Sequence, residues 1–130
     1  MSEPIWVLRE TVLALQLHSL SLFGGLEGIR DQTMLDSALQ RPVHLHAYGN
    51  SPSVTELAAA YAFGLVKNHP FLDGNKRIAF LTATVFLEAN GWRFSGTEAE
   101  AVLNTLALAA GELDESGFAA WLATNSASAS

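Results

Sequence analysis

The chain has no cysteine, so neither a disulfide framework nor thiolate chemistry is open to it. Charge is scarce: charged residues make up 15% of the 130 and hydrophobic ones 49%, a balance that supplies a core and excludes bulk disorder. Basic residues are scarcer still, seven against thirteen acidic. The resulting net charge of -6 leaves no basic face for nucleic acid, so direct nucleic-acid binding is not expected. Long apolar runs are missing as well. The longest, LAAAYAFGLV, covers residues 57–66, well short of the roughly 20 residues a membrane span needs. The opening MSEPIWVLRE lacks a basic segment ahead of an apolar one, so it does not read as a secretory leader, and the cytoplasm is the expected location. The length suits one compact domain. It is expected to span residues 1–122, with 123–130, ending in small polar residues, as a frayed tail.

Apolar spacing within that domain is helical. Leu8, Val12, Leu15, Leu20 and Phe23 predict a first helix, stopped by Gly24-Gly25. Asp31 or Thr33 can cap a second, with Met34, Leu35, Ala38 and Leu39 apolar, running to about Gln40 and ended by Pro42. Residues 42–52, with two prolines, a glycine and an asparagine, read as a long loop of the kind that carries function. A third helix, capped by Ser53 or Thr55, runs to about Asn68 and is apolar nearly all round, as a central helix would be. His69-Pro70 ends it. A fourth runs from Asn75 to Asn90-Gly91, followed by an extended connector at Trp92–Phe94. Thr97 caps a fifth, with Val102, Leu103, Leu106 and Ala110 on one face. A sixth, Asp114 to Thr124, is anchored by Phe118, Trp121 and Leu122. The expectation is an all-α bundle of about six helices, with a polar loop between its two central ones.

That loop reads HPFLDGNKR, residues 69–77. Asn75, Lys76 and Arg77 fall in the first turn of the fourth helix, where free amides and the positive end of the helix dipole attract anions. Two basic side chains there are unfavourable unless something negative offsets them. Phosphate fits, with Arg77 as a planar fork and Lys76 as a point charge. Gly74 allows close backbone approach. Asp73 beside a phosphate implies a bridging Mg²⁺. His69 carries the one side chain here suited to proton exchange near neutral pH. Phe71 is expected to turn inward and pin the loop. Taken singly these residues have ordinary structural uses: a C-terminal cap, a turn, a solvated face. Their convergence at one helix start argues for a site.

The nonapeptide resembles the signature of the Fic/Doc superfamily, H-x-F-x-(D/E/N)-(G/A)-N-(G/K)-R. Its Asn75-Lys76-Arg77 is closer to the Doc (death-on-curing) branch, which has N-K-R where Fic enzymes have N-G-R. The short helical layout and the GGLEGIRD stretch are similar to Doc as well. The resemblance implies that His69 takes a proton from a target hydroxyl, Phe71 anchors the loop, and Asp73 lies by Mg²⁺. Gly74, Asn75 and Lys76 would cradle the phosphates and Arg77 would clamp one, so that His69, Asp73 and Arg77 form the catalytic set. Fic enzymes carry a second arginine three residues further on, and here that position is Phe80. The departure favours phosphoryl transfer from ATP over adenylylation. The resemblance to the Doc branch also implies a target of the elongation factor Tu class and a toxin held by an antitoxin whose disordered tail folds on binding. The competing readings are a Fic-type nucleotidyltransferase and a catalytically silent module that binds an anion or a partner.

Other residues read more plainly. His44 and His46 lack a third metal ligand nearby and read as surface loop histidines. In the family this region, 42–52, corresponds to a flap beside the site, so target docking there is an expectation. Asp31 reads as a helix cap beside Arg30, and Trp6, Trp92 and Trp121 as core.

Overall fold

A computed structural model describes residues 3–129. Six helices follow in chain order: α1 Arg9–Phe23, α2 Gln32–Tyr48, α3 Val54–Asn68, α4 Asn75–Ala89, α5 Glu98–Ala110 and α6 Glu115–Thr124. Two three-residue strands complete the fold, β1 Trp92–Phe94 and β2 Ser126–Ser128. The expected all-α bundle is therefore present, and α3 and α4 are its central pair.

α3 begins with a reciprocal capping box. The Ser53 hydroxyl accepts from the Glu56 amide and the Glu56 carboxylate accepts from the Ser53 amide. Its small residues, Ala58, Ala59, Ala60, Ala62 and Gly64, are all buried and let neighbouring helices come close. At Gly64 a Cβ would stand 3.1 Å from Ala38 Cα of α2, so a side chain there would press the two helices apart by a few tenths of an ångström. Tyr61, Phe71, Phe86, Phe118, Leu57, Ile78 and Leu122 fill the centre. Fully burying each of the large apolar side chains contributes about 1.5–3 kcal/mol before chain entropy is counted.

Three expectations need correction. α2 does not end before Pro42 but continues through it to Tyr48. Pro42 lies on the buried face set by Leu35, Ala38 and Leu39, and Leu45 extends that face against the core. Packing outweighs the roughly 3 kcal/mol a helix-interior proline costs. The long loop expected at 42–52 shrinks accordingly to the turn at 49–53, and His44 and His46 are helical. His46 lies 3.5 Å from a Glu3 carboxylate oxygen and edge-on to Trp6. The second correction concerns the tail. Thr124 closes α6 and Ser126–Ser128 pairs antiparallel with Trp92–Phe94, so this part is an ordered edge strand. The pairing is one between backbones, a signal that small polar residues conceal. The third is α5. Its buried residues are Ala101, Thr105 and Leu108, whereas Val102, Leu103 and Leu106 are 53%, 66% and 45% exposed.

Candidate active site

The expected site residues come together where α3 ends and α4 begins. His69 is the C-cap of α3 and has a left-handed backbone, φ 52° and ψ 52°. Only one other non-glycine among the described residues, Ser51, has positive φ. Such a conformation costs about 1–2 kcal/mol and needs support from its surroundings.

The support comes from the segment between α1 and α2. Arg30 donates from Nε to the His69 carbonyl at 2.6 Å and from Nη2 to the Asn68 carbonyl at 2.8 Å. A cation thereby covers the carbonyl end of α3. The amides of Arg30 and Asp31 both donate to the Pro70 carbonyl, and the Leu72 amide donates to the Gly28 carbonyl. Ile29 and Phe71 form an antiparallel bridge. Asp31 also caps α2 through the Met34 amide, as expected. Residues 24–31 thus lie along the active-site loop as a strap.

A second hold comes from α1. Gln16 is 3% exposed and its Nε2 donates to the Asp73 carbonyl at 2.5 Å. Because the peptide group is planar, drawing that carbonyl towards α1 turns the Gly74 N–H away from it. The Asp73 carboxylate closes the turn, accepting from the Gly74 amide through Oδ1 and from the Leu26 amide through Oδ2, both at 3.1 Å. Gly25 is where the strap meets this carboxylate. A Cβ on Gly25 would stand 3.0 Å from Asp73 Oδ2, at φ +123°.

Gly74, at φ 75°, then starts α4. Asp31, Ser53, Thr97 and Asp114 cap α2, α3, α5 and α6 with their side chains. α4 has no side-chain cap, and the amides of Asn75, Lys76 and Arg77 find no acceptor among the described residues. An uncapped helix start with two cations in its first turn is electrostatically incomplete and attracts an anion.

The side chains there divide by role. Lys76 is exposed. The Arg77 guanidinium lies over the Phe23 ring, 4.8 Å from its centre, which holds it beside the helix end. Asn75 departs from the expectation of a phosphate contact through its side chain. It is 4% exposed, accepting from the Phe71 amide at 3.0 Å and donating to the Phe71 carbonyl at 2.9 Å. Its backbone N–H is what remains for a ligand. Phe71 is buried, as expected of the anchor.

Two cavities open at this end of the bundle. One of ≈ 570 Å³ is lined by His69, Asn75 and Lys76 together with Leu103, Leu106 and Glu112. The other, ≈ 450 Å³ and largely apolar, is lined by Phe23, Arg77, Phe80, Val102 and Leu106, with Lys76 again at its edge. The exposed residues of α5 therefore form a wall of the site. The spacing of Leu103 and Leu106 conveyed the apolar face but not its outward direction. Gln16 and Arg30 were not singled out as supports. The sequence signal for Gln16 was a polar residue one turn after Val12, on an otherwise buried face.

A model of the Fic/DOC family matches residues 6–87, which include α1, the strap, α3 and most of α4. The chain belongs to that family, on its Doc branch. It is 36% identical over 108 residues to the protein named Toxin Doc of Mycolicibacterium smegmatis, an alignment covering 75% of this chain and 83% of that one. It is 32% identical over 110 residues to the protein named Protein kinase doc of Escherichia phage P1, covering 85% and 86%.

Proposed function

We propose that this chain is the toxin of a toxin–antitoxin pair and acts as a protein kinase. It would transfer the γ-phosphoryl group of ATP to a hydroxyl on a translation factor of the elongation factor Tu class. The observation that carries the reading is the uncapped start of α4, with three free amides, Lys76 and Arg77 in its first turn, and His69 lining one cavity with Asn75 and Lys76. The names of the two relatives, a toxin and a protein kinase, point the same way.

In this reading Gly74 lets the terminal phosphate come close, the free amides of Asn75, Lys76 and Arg77 receive it, and the Arg77 side chain clamps an oxygen of it. The target hydroxyl loses its proton to His69 as its oxygen attacks the γ phosphorus. The bond to the β-phosphate oxygen breaks and ADP leaves. Asp73 fits a Mg²⁺ site of the kind that takes one carboxylate. It is exposed, and each oxygen holds one backbone N–H and retains a lone pair. No group of three or more metal-ligating His, Cys, Asp or Glu side chains occurs among the described residues, so the remaining ligands would be phosphate and water. Bound there, Mg²⁺ would offset the charge of the phosphates.

Phe80 supports γ over α transfer. It stands where Fic enzymes have their second arginine. Its ring packs edge-on against Phe94, with centres 5.4 Å apart, and against Trp121 at 6.2 Å. Nothing at that position can hold the far phosphates and so present the α phosphorus to His69. The apolar cavity bordered by Arg77 and Lys76 suits an antitoxin tail that is disordered until bound, apolar in part and acidic at the cations.

ATP labelled separately at the α and γ phosphorus tests the reading. Label should reach the protein target from the γ position only, with ADP released and a mass gain of about 80 Da, one phosphoryl group. Label from the α position with pyrophosphate released would move the chain to the nucleotidyltransferases. No transfer from either would leave an anion-binding module.

A further inference from the structure

The network around Asn75 fixes more than the loop. A side-chain amide has one oxygen that accepts and one nitrogen that donates two hydrogens, and its neighbours decide which end is which. Here the neighbours are backbone groups. The Phe71 amide can only donate, so it must face Oδ1, at 3.0 Å. The Phe71 carbonyl can only accept, so it must face Nδ2, at 2.9 Å. Turning the amide over would set N–H against N–H and oxygen against oxygen in a buried place, where unmet polar groups are costly. The orientation is therefore determined, and one hydrogen of Nδ2 remains.

That hydrogen lies towards His69. Nδ2 is 3.2 Å from the ring nitrogen Nδ1. Only a lone pair on Nδ1 can receive it. A neutral imidazole has one lone-pair nitrogen and one N–H, and the bond made by one nitrogen sets the state of the other.

We propose that Asn75 is a positioning residue that holds His69 as its Nε2–H tautomer, so that in this conformation the ring offers the site a hydrogen-bond donor and no free base. The inference rests on the functional reading above only in its consequence for catalysis. Taking a proton at Nδ1 requires the lone pair that Asn75 occupies. Taking one at Nε2 requires the hydrogen already there to leave and Nδ1 to gain one, which would face the Asn75 N–H. By either route Asn75 must release the ring before the target hydroxyl is deprotonated. Until then the Nε2–H can donate to a phosphate oxygen, which suits a chain that binds nucleotide before its protein target. The Arg30 bond to the His69 carbonyl keeps the backbone in place while the ring changes partner.

Long-range proton–nitrogen correlation spectra of the nitrogen-labelled chain, without nucleotide, in mildly alkaline buffer, read the tautomer directly. The His69 signals are those missing from the His69→Gln spectrum. The expected result is a downfield, unprotonated Nδ1 and a protonated Nε2. A protonated Nδ1 overturns the proposal. In Asn75→Asp the carboxylate would accept from Nδ1–H, so a folded variant should show the opposite tautomer, and one retaining the wild-type pattern shows that Asn75 does not set it. Should that variant not fold, the wild-type spectrum still decides. Because no substrate is present, the outcome is independent of the labelled-ATP experiment, and either can fail without the other.

Discussion

His69 combines an unfavourable backbone with an exposed ring, and its neighbours explain how both persist. Arg30 holds its carbonyl and Asn75 its Nδ1, so the ring is aimed without being buried. His69→Gln should therefore leave the melting temperature and nucleotide affinity close to wild type while lowering single-turnover phosphoryl transfer by about 10²-fold or more, the usual contribution of a positioned base. Full activity in that variant would remove His69 from the proton-transfer role. The loop residues were legible in the sequence because their grouping is local: nine consecutive positions include the cations, the glycine, the carboxylate and the imidazole. Gln16 and Arg30 were less legible because their partners stand 57 and 39 residues away, and only tertiary packing unites them. Tyr61 is a third case. Its hydroxyl accepts from the Val7 amide at 3.0 Å and ties the N-terminal segment to α3. Burial raises its pKa from 10.0 to about 12, against the opposing effect of the Val7 bond. The folded state thus binds this proton more tightly than the unfolded one. Its contribution to stability is complete below pH 10 and is lost as the pH rises through 12. Denaturant titrations should show stability falling over that window. Tyr61→Phe should flatten the fall, while lowering neutral-pH stability by about 1–3 kcal/mol because the Val7 amide loses its acceptor.

Elements were read correctly where capping and periodicity agreed. The bounds of α3 and α4 follow from Ser53, the His69-Pro70 stop, Gly74 and Asn90-Gly91, all chemically explicit signals. They were misread where a local signal met a stronger non-local one. Pro42 is a helix breaker by its own chemistry, yet the spacing of Leu35, Ala38, Leu39, Pro42 and Leu45 carries a buried face through it. Ser126–Ser128 has no strand-forming side chains, yet the edge of Trp92–Phe94 supplies it with a backbone partner. The Ser95 amide donates to the Asn125 carbonyl, and the Ala129 amide to the Gly91 carbonyl. Removing residues 126–130 should accordingly destabilise the domain by about 1–3 kcal/mol, a few backbone hydrogen bonds at their net value, seen as a lower denaturant midpoint with nearly unchanged slope. An unchanged midpoint would mean that the strand adds nothing to stability.

At the scale of the whole molecule, the conspicuous feature is apolar surface on an acidic protein. Leu22 and Phe23 at the end of α1, Leu26 in the strap and Val102, Leu103 and Leu106 on α5 are all exposed, and the largely apolar cavity holding Lys76 and Arg77 is lined by Phe23 on one side and α5 on the other. Clustered apolar side chains around two cations mark a surface awaiting a partner. The free amides of α4 open at the same end, so a segment seated there would cover the site as well as the patch. Expression of the chain alone should therefore arrest growth, and co-expression of its antitoxin should restore it. Val102 separates docking from chemistry, because it lines the apolar cavity and is not among the residues around the His69 cavity. Being exposed, it should tolerate Val102→Asp within about 0.5 kcal/mol. The new carboxylate would desolvate without a matched partner under an apolar segment and would repel acidic residues drawn to Lys76 and Arg77. The variant should remain toxic and lose its rescue by the antitoxin, with growth curves and a pull-down as the two measurements. Retained rescue would place the antitoxin on another face, and unimpaired growth with the wild-type chain alone would count against the toxin itself.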